Sequence, residues 1–371
     1  MSKKYTGWII VFLLFAGFGC TVHNREDFYK IAVAAPQFGP YESLGLSIIN
    51  GAEVAVDLKN QEGGIDGKKL KLIKVDDGGL VGEGTWKAMD LAQEKVLGVI
   101  GHLNSDISIS ASEIYSKAKI PQISPGSTSP LFTERSNVKG YVFRTVGRDD
   151  QQGKTAAQFA LEKGFKKIAV LYNDRGYGRS LSVEFVKNIN SAQSNAEIIY
   201  FETYKVGNAE LPRITADLKI KIPDLIFFAG EYGDAANLLK HLRASGVRSV
   251  FLGSEGVFAP EFITSSNNSS EGSYVISLPE VTNKNFIDLY KKKCNKDLSS
   301  YSANSYDAAN VLISAIEKTK GKTSDNVARK IRMTKDFPGL TGKISFDSKG
   351  DLTDPRFSVY QVRQGMFVLV K

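Results

Sequence analysis

From Tyr29 onward the chain alternates short runs of β-branched and aromatic residues with stretches of helical periodicity, and this cadence constrains the fold more than any other feature. Ile31 to Ala35, Leu70 to Val75, Val96 to Ile100 and Ile120 to Ser124 form one series of predicted strands. Ile168 to Tyr172, Ala196 to Phe201, Leu225 to Phe228 and Val250 to Leu252 form a second. Between strands, Ala235, Leu238, Leu239 and Leu242 recur at i, i+3, i+4 and i+7, as do Ala309, Leu312, Ile313 and Ile316, so each set occupies one face of a helix. Gly164 and Gly246 follow the last periodic residues, where a left-handed C-terminal position favours glycine. Parallel neighbours need a crossover of about a dozen residues, which one helix supplies. Two such series of four strands predict two α/β lobes, with Phe143 to Gln152 crossing between them. After Gly272 come one more strand to Leu278, helices over Lys284 to Lys293 and Tyr306 to Lys318, and turn-rich strands to Lys371. Periodicity alone leaves open which lobe this tail completes.

Composition enters by exclusion. With 371 residues, 42% of them hydrophobic, the chain has ample apolar material for packed cores. The formal charge of +8 is spread along the sequence, with no basic block interleaved with aromatics, which argues against nucleic acid as a partner. Two cysteines, Cys20 and Cys294, and three histidines, His23, His102 and His241, include no pair at the spacing of a zinc ligand set. Neither a metal nor a cofactor is expected. Gly176, Gly178 and Leu181 lack the third glycine of a dinucleotide fingerprint, and Gly321, Lys322 and Thr323 lack the leading glycine of a phosphate loop. Asp347, Gly350, Asp351 and Asp354 lack the alternating spacing of a calcium loop and read as a turn. No nucleophile elbow occurs, and His102 and His241 read as structural. An enzyme finds no support.

The first residues carry an address. Lys3 and Lys4 precede an eleven-residue apolar run from Trp8 to Phe18, too short for a bilayer core that needs about 20 residues. A charged start, a short apolar stretch and a small residue, Gly19, read as a secretory signal over residues 1–20. Gly19 abuts Cys20, which resembles a bacterial lipoprotein signal and makes Cys20 the expected lipid attachment point. Cleavage there removes Lys3 and Lys4, and leaves Cys294 as the thiol not committed to lipid.

In an open parallel sheet, ligands bind beyond the carboxyl ends of the strands, where loops lead into helix N-termini. The strand ending at Ile100 runs into Gly-His-Leu-Asn-Ser-Asp, and the next into Ser-Pro-Gly-Ser-Thr-Ser-Pro. Such hydroxyl-rich loops offer O–H and backbone N–H donors to a carboxylate. Read singly, Ser105 and Thr128 equally suit helix caps.

Taken together, these loops belong to a larger pattern. Ile-Gly-His-Leu at 100–103, Ile-Ser-Pro-Gly-Ser-Thr-Ser-Pro at 123–130, Tyr177-Gly178, Gly-Ser-Glu-Gly at 253–256 and Tyr-Asp-Ala-Ala at 306–309 follow in order. Pro-Gln-Phe-Gly-Pro at 36–40, Asn-Gly-Ala-Glu at 50–53, Gly-Gly-Ile-Asp-Gly-Lys-Lys-Leu at 63–70 and Asp76-Asp77 precede or accompany them. The set resembles the periplasmic binding proteins of branched-chain amino acid ABC transporters, over almost the whole chain after Cys20. The resemblance implies the type I fold of that family: two Rossmann-like lobes joined by three hinge crossings. It assigns residues 27–146 plus 277–353 to one lobe and 147–276 plus 354–371 to the other.

It also implies a site. Ser105 and Thr128, with backbone of Gly126, would hold a ligand carboxylate, and Glu255 an ammonium. Ser127 lies in the same loop, and Tyr177 and Tyr301 would cover the ligand. Three departures qualify this. Leu44 stands where leucine-type binders have an aromatic residue, Glu231 where they have a tyrosine, and Gly79 and Asn104 where they have a cysteine pair. Glu231 either meets an extra donor or cationic group on the ligand or is a solvated rim residue. The implied function is capture of an amino acid or related small polar molecule outside the cytoplasm, by hinge closure, for delivery to a membrane permease. A ligand-controlled sensor or activator lipoprotein on the same fold is the alternative. The implied location is the periplasm or the outer face of the membrane, held there by the lipid on Cys20.

Overall fold

The computed structural model describes Met1, residues 28–205 and residues 208–370. The expected signal segment, Cys20 and His23 lie outside the described residues. Five strands, β1 (Tyr29–Ala34), β2 (Leu70–Val75), β3 (Val99–Gly101), β4 (Gln122–Ser124) and β5 (Val142–Arg144), form a parallel sheet in the order β2-β1-β3-β4-β5. A second sheet begins with β6 (Lys167–Asn173), β7 (Glu197–Tyr204), β8 (Leu225–Ala229), β9 (Val250–Gly253) and β10 (Tyr274–Ser277). A small hairpin of β11 (Phe337–Gly339) and β12 (Gly342–Ile344) comes next. The last strands, β13 (Ser358–Arg363) and β14 (Met366–Leu369), then return to the second sheet as an antiparallel edge, giving β14-β13-β10-β9-β8-β6-β7.

The first series thus has five strands rather than four. The added strand, Val142–Arg144, takes the start of the expected crossing, because its three buried residues pair with Gln122–Ser124 instead of passing between lobes. Side chains alternate across each sheet as the pleat requires. In β1, Ile31 and Val33 join the core shared with the helices Glu42–Gln61 and Ser302–Thr319, while Ala32 and Ala34 face the helices Val81–Gln93 and Ser105–Lys117. In β8, Ile226 and Phe228 enter one core and Leu225, Phe227 and Ala229 the other. Both expected helical faces are buried, Leu238, Leu239 and Leu242 as well as Ala309, Leu312 and Ile316 at 0% exposure.

The tail serves both halves. The helices Lys284–Cys294 and Ser302–Thr319 pack on the helix Glu42–Gln61, above the first sheet, and β13 and β14 extend the second. Gly51 permits the closest approach: a Cβ there would stand 2.2 Å from the carbonyl oxygen of Ser302. The chain therefore passes between the two sheets three times, after β5, after β10 and before β13. Among the described residues no helix is long and apolar enough to cross a membrane. Cys294 is the free cysteine of the described residues and is half-buried.

Candidate ligand-binding cleft

Both sheets share one topology, with a reversal of strand order between β1 and β3 in the first and between β6 and β8 in the second. A crevice opens at the carboxyl end of a sheet where its order reverses. Here the two crevices face each other across one cavity. Its wall comes from Leu44, Leu103, Asn104, Ser105, Gly126 and Tyr301 on the side of the first sheet and from Tyr177, Glu231 and Gly256 on the side of the second. The space between the two walls is narrow, about 310 Å³ including the part open to solvent.

Leu44, Ser105, Gly126, Tyr177, Glu231 and Tyr301 therefore meet on the cavity wall. Ser127, Thr128 and Glu255 lie just behind it, each at 0% exposure. Of the acids, it is Glu231 that lines the lumen. At 6% exposure it is not a solvated rim residue.

The loop from Ser124 to Pro130 is held rigid from below. Ser124 donates to the carbonyl of His102 at 2.8 Å and accepts from the N–H groups of Ser127 at 2.8 Å and Gly126 at 3.3 Å. Ser127 binds the Ser108 hydroxyl at 2.6 Å, and the N–H of Ser129 donates to the Ser105 hydroxyl at 3.3 Å. The guanidinium of Arg144, fully buried, donates to the carbonyls of Ser127 at 2.7 Å and Ser129 at 2.9 Å, which bracket Thr128. Its Nε lies 2.7 Å from Asp351, which also meets Arg148 at 2.8 Å. The Thr128 hydroxyl is buried beside the Asp149 carboxyl. His102 is structural, its Nδ1 2.7 Å from Asp77 and its Nε2 3.2 Å from the Tyr115 hydroxyl.

On the second sheet, Tyr177 opens the helix Gly176–Ser191, and its hydroxyl donates to Gln152 at 3.1 Å and receives the N–H of Gly256 at 3.4 Å. Only glycine fits at 256, where a Cβ would stand 2.7 Å from the carbonyl oxygen of Gly230. Glu255 accepts from the Tyr301 hydroxyl at 3.3 Å through Oε1, while Oε2 has no partner. Burial, and then the charge of Asp149, hold its carboxyl well above the usual carboxylate range. Burial pushes Glu231 up to about 8, with Asp234 and Asp106 adding to the effect and Arg175 and the Asn173 amide opposing it.

Sequence reasoning did not find four residues at this site. Asn173, at the end of β6, donates its amide to Glu231. Arg175 donates to the carbonyl of Gly79 at 3.0 Å and sits 4.6 Å from the centre of the Tyr41 ring, linking the second half to the first. Arg144 fixes the Ser127–Ser129 loop. Asp149 is buried between Thr128, Ser180 and Arg144, and burial pushes it up to about 6. The one available signal was position, since Asn173 and Arg175 follow a strand at its carboxyl end. Gly79 and Asn104, in place of a cysteine pair, join no disulfide. Among the described residues no group of three or more His, Cys, Asp or Glu side chains is placed to hold a metal ion.

Comparison with known proteins agrees with this geometry. A family model described as a periplasmic binding protein matches residues 29–366. The chain belongs to the periplasmic binding proteins. Within that family it is similar to a "Leu/Ile/Val-binding protein homolog 1" of Brucella suis, 30% identical over 340 residues and covering 90% of each chain. It is equally similar to a leucine-, isoleucine-, valine-, threonine- and alanine-binding protein of Pseudomonas aeruginosa, 30% identical over 354 residues, covering 93% of this chain and 92% of the relative. Among solved structures, the branched-chain amino acid binding protein LivJ of Streptococcus pneumoniae, in complex with isoleucine, superposes with a TM-score of 0.84. It is 27% identical and covers 93% of this periplasmic binding protein and 99% of its own chain. The leucine-binding protein LivK of Thermotoga maritima gives the same score and identity over 92% and 97% of the two chains. The type I architecture of this branched-chain amino acid binding family, two parallel-sheet lobes facing a cleft, is thus that of the present chain.

Proposed function

We propose that this periplasmic binding protein captures an α-amino acid between its two lobes outside the cytoplasm and delivers it to the permease of an ABC transporter. The observation that carries the reading is the cavity itself, with hydroxyl and backbone donors of the Ser105 and Gly126 loops on one wall and Glu231 and Tyr177 of the second lobe on the other. In this reading the Ser105, Gly126, Ser127 and Thr128 loops receive the ligand carboxylate and Glu255 the ammonium. Tyr177, Tyr301, Leu44 and Glu231 enclose the remainder. The buried Glu255 Oε2, without a partner, supports this division, since buried polar atoms in native proteins are almost always paired. Hydroxyls and N–H groups suit an anion, and Glu255, whose proton burial retains in the empty cleft, gives it up when an ammonium enters and becomes an acceptor-only carboxylate suited to that cation.

The lobes 27–146 plus 277–353 and 147–276 plus 354–371 would close about the three crossings. Ligand shifts that equilibrium by the contacts it makes only in the closed state. The chemistry is binding and release, with no bond made or broken. Lipid attachment at Cys20 would keep the protein at the membrane face, and a Cys20→Ser variant released into the soluble fraction is the matching observation.

Small-angle scattering with and without a mixture of the twenty proteinogenic amino acids tests the reading. A smaller radius of gyration with the mixture, and one amino acid retained through gel filtration, are expected. Unchanged scattering together with no retained amino acid would overturn it.

A further inference from the structure

The order of the second sheet reverses between β6 and β8, and one residue from each edge of that reversal meets there. Asn173 closes β6, Glu231 follows β8 by two positions, and the amide of Asn173 donates to the Glu231 carboxyl. Glu231 also precedes the helix Tyr232–Ala244 as its cap residue, yet its side chain makes no capping bond. Its carboxyl is turned to Asn173 and the cavity instead. The Oδ1 atoms of Asn104, on the cavity wall, and of Asn173, behind Glu231, are buried without partners. Leu44 and Leu103 supply the apolar part of the lining.

We infer that Glu231 and Asn173 form a side-chain subsite that selects a small α-amino acid bearing a hydroxyl or amide over one with a hydrocarbon side chain. This rests on the amino-acid reading above and deepens it.

Facing a hydrocarbon, the buried Glu231 carboxyl keeps the Asn173 amide on one oxygen but neither water nor a partner on the other, and that loss falls on the complex with the apolar ligand. Sites built to hydrogen-bond a substrate group discriminate strongly against the analogue that lacks it, whereas apolar pockets discriminate weakly. Burial holds the Glu231 proton up to about pH 8, so near neutrality the group offers an O–H and a C=O, as an amide does. A neutral group of that kind suits a neutral hydroxyl or amide rather than a second cation. The narrow lumen limits the ligand to a small one.

Two nearly isosteric pairs, threonine with valine and asparagine with leucine, isolate the polar group from size. Calorimetric titration of the whole protein at pH 7 is expected to give each polar member at least about tenfold tighter binding than its apolar partner. Glu231→Gln should keep those ratios within about threefold, because glutamine preserves a neutral donor and acceptor. Glu231→Leu should bring them to one or below. Should that variant not fold, the wild-type ratios and Glu231→Gln still decide. Wild-type ratios under tenfold, or ratios unmoved in Glu231→Leu, overturn the inference while leaving amino-acid capture standing. Absence of binding by all four overturns capture of these ligands and the inference with it.

Discussion

The hydroxyl of Tyr301 donates to Oε1 of Glu255 across 3.3 Å, and the bond spans the two halves of the molecule. Tyr301 precedes the helix Ser302–Thr319, which packs above the first sheet; Glu255 follows β9 of the second. Removing the hydroxyl leaves a fully buried carboxyl with neither oxygen paired. Tyr301→Phe is therefore expected to lower the unfolding free energy by about 1–3 kcal/mol, read by urea denaturation with saturating ligand, which holds the lobes closed. A midpoint equal to wild type would show that the bond does not form in solution.

Arg175 forms a second link, at the cleft rim and apart from the cavity wall. Its guanidinium donates to Gly79 and stacks on Tyr41 at 4.6 Å. A cation–π contact of this kind contributes about 0.5–2 kcal/mol. Arg175→Ala should shift the ligand-free protein toward open forms, with a larger radius of gyration by scattering. Affinity should fall several-fold, through the added cost of closure. Unchanged scattering and affinity would remove Arg175 from the closing mechanism.

Asp149 makes stability depend on pH with a definite sign. Burial raises its folded value from 3.8 to about 6, partly offset by the Ser180 and Thr128 hydroxyls and by Arg144. Between those values the folded chain holds a proton that the unfolded chain has released. The contribution is present below pH 3.8 and is lost as pH rises through about 6, amounting to about 3 kcal/mol at most. Asp149→Asn should flatten that part of the profile and raise the melting temperature at pH 7 relative to wild type. Parallel profiles for the two proteins between pH 4 and 7 would refute this.

The sequence carried the layers of the fold because hydrophobic period is a local property. Runs such as Leu225–Phe228 and the Leu238–Leu242 stripe needed no distant partner to be read. Val142–Arg144 escaped because a three-residue edge strand has too few positions to show a period. At the site, loops with a recognisable pattern placed Ser105, Gly126, Tyr177 and Tyr301 near the cavity. Which acid lines the lumen was not legible, since Glu231 and Glu255 both follow strand ends and differ only in how the chain turns afterwards. Arg144 looked like one more residue of a crossing. Its burial depends on Asp351, far along the chain, and no local pattern encodes that partner. Asn173 reads as a turn residue until β8 brings Glu231 beside it.

The central claim is that the cleft holds an amino acid by its charged ends, with Glu255 at the ammonium. Calorimetric titration of Glu255→Ala against wild type, using whichever proteinogenic amino acid wild type binds most tightly, tests it most directly. Removing one partner of a buried charged pair costs about 2–5 kcal/mol, so affinity should fall at least about tenfold while circular dichroism shows a folded protein. Wild-type affinity in a folded Glu255→Ala protein would contradict the account.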